Sequence, residues 1–82
     1  MLYYNRRNLK KHGVSTDEVD DILDYRNLST QIFDLPPARN GNERQMFVGL
    51  TWQGRLLEIG VETLSDEDEY AFHGMNATKQ YR

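Results

Sequence analysis

Glu43-Arg44-Gln45-Met46-Phe47-Val48-Gly49-Leu50-Thr51, then Trp52-Gln53-Gly54, then Arg55-Leu56-Leu57-Glu58-Ile59-Gly60-Val61-Glu62-Thr63 is the stretch that decides the fold. In its first run Met46, Val48 and Leu50 alternate with Phe47, Gly49 and Thr51; in its second, Leu57, Ile59 and Val61 alternate with Leu56, Glu58, Gly60 and Glu62. A period of two sustained over such runs is the pattern of strands. The spacer Trp52-Gln53-Gly54 reads as a hairpin turn with Gly54 at positive φ. An apolar face backed by a face that carries carboxylates implies a sheet covered from one side and open on the other.

Toward the N-terminus the period lengthens. Ser15-Thr16-Asp17-Glu18 has the form of a capping box, and Val19, Ile22 and Leu23 follow at helical spacing with Asp17, Asp20, Asp21 and Asp24 largely opposite. Negative charge in a first turn suits the helix macrodipole. Before it, Asn5 to His12 is polar and basic around Leu9 and ends at Gly13, a short helix with a left-handed stop. Between the second helix and the hairpin, Leu28, Thr30 and Ile32 alternate with Ser29, Gln31 and Phe33 until Pro36-Pro37 ends the ladder, and Pro36 to Asn42 is a loop. Beyond the hairpin an acidic turn, Ser65 to Glu69, leads into a last strand, Tyr70 to Met75, and Asn76-Ala77-Thr78 opens a short C-terminal helical segment. The expected architecture is α+β, with two N-terminal helices packed on one face of a four-stranded antiparallel sheet.

The 82 residues leave room for one domain, 1–82, and the absence of cysteine removes disulfides and thiolate metal sites. No apolar run has the roughly 20 residues of a membrane span, so the reading is a cytoplasmic domain with no membrane association. A net charge of −3 argues against coating nucleic acid by charge alone, yet the charges are segregated, with Arg6, Arg7, Lys10 and Lys11 forming a basic block.

Asn8-Leu9-Lys10-Lys11-His12-Gly13-Val14-Ser15 followed by Glu18-Val19, then Gly41-Asn42-Glu43-Arg44, Gly49 and Gly54-Arg55-Leu56-Leu57, resembles in order and spacing the BrnT-type toxins of bacterial toxin–antitoxin pairs. The resemblance implies a RelE-like ribonuclease fold, cleavage of messenger RNA without a metal or other cofactor, and a cognate antitoxin as partner. Where the family carries an arginine near the end of its fourth strand this chain has Met75, and the family's strongly basic character is missing.

Metal-free RNA cleavage needs a base, an acid and positive charge on the phosphate. His73, on the last strand, and Arg44 and Arg55, flanking the hairpin strands, are the candidate catalytic residues; strict alternation puts Ala71, His73 and Met75 on one face and Tyr70, Phe72 and Gly74 on the other, so that His73 looks outward if Phe72 packs into the core. Arg6, Arg7, Lys10, Lys11, Arg39 and Lys79 are candidate RNA contacts. His12, at the end of the first helix, suits a capping role at that helix's negative end. Glu58 and Glu62 on the open face near His73 repel RNA, which suggests either a general base that tunes His73 or, with Trp52 at the hairpin tip, a surface for a protein partner. Two functions therefore compete: a ribonuclease toxin, and a non-catalytic binding module on the same fold, either a degenerate toxin or a self-associating protein such as a homodimer.

Overall fold

The computed structural model describes residues 1–81. In chain order these form β1 (Leu2–Tyr4), α1 (Arg6–Lys11), α2 (Thr16–Leu23), β2 (Gln31–Leu35), β3 (Arg44–Leu50), β4 (Leu56–Thr63), β5 (Glu69–Asn76) and a 3-10 turn (Lys79–Tyr81). The capping box is made: Ser15 Oγ accepts the Glu18 N–H at 3.1 Å, and the Glu18 carboxylate accepts the Ser15 N–H at 3.0 Å. Gly13 and Gly54 stand at φ +66° and +89°, where a side chain is disfavoured, and stop α1 and turn the β3–β4 hairpin respectively.

The sheet is not the expected four-stranded antiparallel one. It has five strands in the order β1-β5-β4-β3-β2, and β1 pairs with β5 in parallel, Leu2 opposite Glu69 and Tyr4 opposite Ala71. Three residues are too few to show a period, and a parallel partner more than sixty residues along the chain leaves no local trace; Leu2-Tyr3-Tyr4 consequently reads as a mere lead-in to α1. Both helices are short, six and eight residues. The strand read over Leu28 to Phe33 is also displaced: Asn27 and Ser29 make a side-chain-bonded turn, and β2 runs from Gln31 to the residue before Pro36.

Leu9, Val14, Val19 and Ile22 from the helices meet Leu57, Ile59, Val61 and Ala71 from the sheet in the main core. Each Leu, Val or Ile of this set fully removed from water contributes roughly 1.5–3 kcal/mol. α1 comes so close to β5 that a Cβ on Gly74 would sit 2.6 Å from Leu9 Cδ2. The helix also seals the part of β5 that β1 is too short to reach, since Asn5 Nδ2 donates to the Phe72 carbonyl and Asn8 Oδ1 accepts the Gly74 N–H. On the opposite face Met46, Val48 and Ala77 form a second, smaller cluster with Leu35, Leu56 and Tyr81. The C-terminal segment therefore lies over a face that the sequence pattern leaves open. Among the described residues no helix is long and apolar enough to cross a membrane.

Candidate active site

β4 and β5 are in antiparallel register until Gly60, opposite His73, gives way to Val61, opposite Ala71, so Phe72 is an extra residue in β5. This bulge corrects the expected alternation. Ala71 and Gly74 both face the helices, while Phe72 and His73 both project on the other face, Phe72 over Gly60 and His73 beside Glu58. His73 is thus presented by a bulge, and Phe72 is not in the helix-side core.

Glu58 comes from the middle of β4, where it alternates with Leu57 and Ile59, and its side chain is only 5% exposed. A carboxylate so placed is costly unless its oxygens are bonded. Oε2 lies 2.9 Å from His73 Nε2, and Oε1 accepts the Thr78 N–H at 2.6 Å. No buried side-chain nitrogen or oxygen among the described residues lacks a hydrogen-bond partner. Against an ionised carboxylate, which only accepts, Nε2 is the donor and Nδ1 keeps its lone pair. His73 keeps 22% of its side chain accessible. The ring of His12, at the C-cap of α1, stands edge-on to it with centroids 6.1 Å apart. Asn5, Asn8 and His12 share the flank of α1 that borders β5, and Lys11, three residues past Asn8, neighbours it.

The remaining expected residues are distributed as follows. Arg44 pairs across the strands with Glu62, and its guanidinium lies over the Phe72 ring at 5.4 Å while donating to the Pro36 carbonyl, so one aromatic ring separates it from His73. Arg55 is at the other end of the hairpin from Arg44, and its guanidinium donates to Asn76 Oδ1, the Gly13 carbonyl, both oxygens of Glu18 and, at 3.5 Å, the His12 carbonyl. It ties the end of α1 and the start of α2 to β5. Burial works to raise the Glu18 carboxyl, but the Ser15 N–H and the Arg55 guanidinium overcome it and hold the group below its ordinary value. Glu62 accepts Asn42 Nδ2. Trp52 is exposed at the hairpin tip, Arg39 is exposed in the β2–β3 loop, and Arg6 stacks on Tyr4, away from His73. Lys10 is exposed on α1 and Lys79 follows Thr78, hence adjoins Glu58 through the chain.

The structure thus gathers His73, Glu58 and His12, while Arg7, Lys11 and Lys79 are exposed on α1 and the C-terminal turn. Sequence reasoning left Glu58 between tuning His73 and a partner surface, and placed His12 in a cap; the structure has Glu58 against His73. The available signal was a lone carboxylate within Leu56-Leu57-Glu58-Ile59, a place where a charge demands a partner. A cleft of about 400 Å³ lined by Asp34, Leu35, Pro37, Glu43, Arg44 and Gln45 holds neither histidine. Among the described residues no three His, Asp or Glu side chains are grouped to hold a metal ion. No protein-family model matches the sequence, and a search of curated proteins finds no match.

Proposed function

We propose that this chain is a metal-independent endoribonuclease, the toxin of a bacterial toxin–antitoxin pair, with two imidazoles as its acid–base couple. The observation that carries the reading is the contact of His73 with the buried Glu58 beside His12. In this reading His73 Nδ1 takes the proton of a ribose 2′-hydroxyl as its oxygen attacks phosphorus. The imidazolium that results is held by Glu58, a positioning residue that does not meet the substrate. His12 gives a proton to the departing 5′-oxygen, and the products are a 2′,3′-cyclic phosphate and a 5′-hydroxyl. Arg7, Lys11 and Lys79 supply the positive charge around the phosphate. An open surface suits a polymer laid across it.

The test is cleavage of a defined RNA by the purified chain in the presence of a chelator, with end-group analysis of the products, beside growth on induction. Wild type is expected to leave cyclic-phosphate ends and to arrest growth, and His73→Ala to slow cleavage by about 10²–10⁴-fold. Intact RNA with unaffected growth would overturn the proposal in favour of a non-catalytic binding module. That second reading draws on the exposed Trp52, which sits with Leu50 at the hairpin tip.

A further inference from the structure

The two edges of the sheet are finished differently. At one, β1 is three residues long, and α1 with Asn5 and Asn8 closes the rest of β5. At the other, β2 is five residues long, has β3 as its partner on one side and no strand among the described residues on the other, and carries no proline, bulge or lysine, its one charge being Asp34. Its side chains are exposed on both faces, Ile32 on the helix side and Phe33 on the other. Just before it, Tyr25 and Leu28 are 91% and 95% exposed, and with Ile22, Leu23, Ile32 and Phe47 they line a groove between α2 and the strand.

We infer that the β2 edge pairs with the β2 edge of a second copy of this chain, antiparallel about a twofold axis through Phe33, to give a continuous ten-stranded sheet. A short antiparallel edge is self-complementary under such an axis. Phe33 then faces Phe33 of the second copy, and Gln31 faces Leu35. Asp34, the strand's one charge, faces Ile32, and it already accepts Gln45 Nε2, so no like charges stand opposite one another. Tyr25, Leu28, Ile32 and Phe33 from both copies hide on the order of 1,000 Å² in addition to the strand backbones, which reaches the range of specific interfaces. The inference does not depend on the nuclease reading, because His73 and β2 are separated by β4 and β3.

Light scattering and sedimentation of the purified chain over a range of concentrations test it, with circular dichroism as the check on folding. The expected mass is that of two chains, and Ile32→Lys and Leu28→Lys each raise the dissociation constant at least about tenfold. Leu28 is so exposed that its replacement leaves the fold intact, and Tyr3→Ser, at the far edge, leaves the dimer unchanged. A single-chain mass at every concentration, a dimer indifferent to both lysine variants, or one dissolved by Tyr3→Ser would overturn the inference.

Discussion

The two faces of this sheet carry the same alternation and finish in opposite ways. On the helix side Leu57, Ile59 and Val61 pack in an apolar cluster with Leu9, Val14, Val19 and Ile22, and Arg55 is tied to Glu18. On the other side Met46, Val48 and Leu56 are covered by a short C-terminal segment, and a carboxylate lies beneath it with both oxygens bonded. Apolar burial tolerates approximate fit, whereas a buried charge has to be met atom by atom. The site therefore lies where the chain gave up core volume to hold one imidazole in one orientation.

The strongest way to break the contrast is to empty each face in turn and compare the losses by urea unfolding. Ile59→Ala, in the fully buried helix-side core, is expected to cost about 2–5 kcal/mol. Glu58→Leu keeps the volume but leaves the Thr78 N–H and the His73 ring nitrogen without their acceptor, for an expected loss of about 1–3 kcal/mol together with faster hydrogen exchange at Thr78. A neutral or stabilising Glu58→Leu would mean that the second face needs only apolar filling.

The smallest effect concerns the tie of Arg55 to Glu18. Glu18 has a lowered carboxyl pKa in the folded chain, so the unfolded chain binds its proton more readily and the contribution is complete above the ordinary carboxylate value. It is lost as pH falls through the lowered folded value. Because Arg55 and Glu18 are both partly exposed, the contribution is no more than about 1 kcal/mol. Glu18→Gln should flatten the acid side of the stability profile by that amount, and an unchanged profile would show that the clamp serves geometry alone.

Local signals were legible where one stretch of chain answers for itself: the Ser15–Glu18 capping box, the positive φ at Gly13 and Gly54, and the end of β2 before Pro36. The site was legible only in part. His73 was singled out from its residue type, but the alternation argument that turned it outward missed the bulge at Phe72, which depends on how β4 and β5 meet. Arg44 and Arg55 looked like a pair because each opens a strand of the hairpin, yet antiparallel strands start at opposite ends, so Arg44 lies opposite Glu62 and Arg55 beside the turn.

By itself, then, the sequence determined two helices, a hairpin and their caps, because each is closed by hydrogen bonds and side-chain periods within a few residues. Only the tertiary structure decided the parallel β1–β5 pair, the bulge, the burial of Glu58 and the meeting of His12 with His73. Each of these joins residues far apart along the chain, and no local pattern records which distant backbone or charge will be there to receive them.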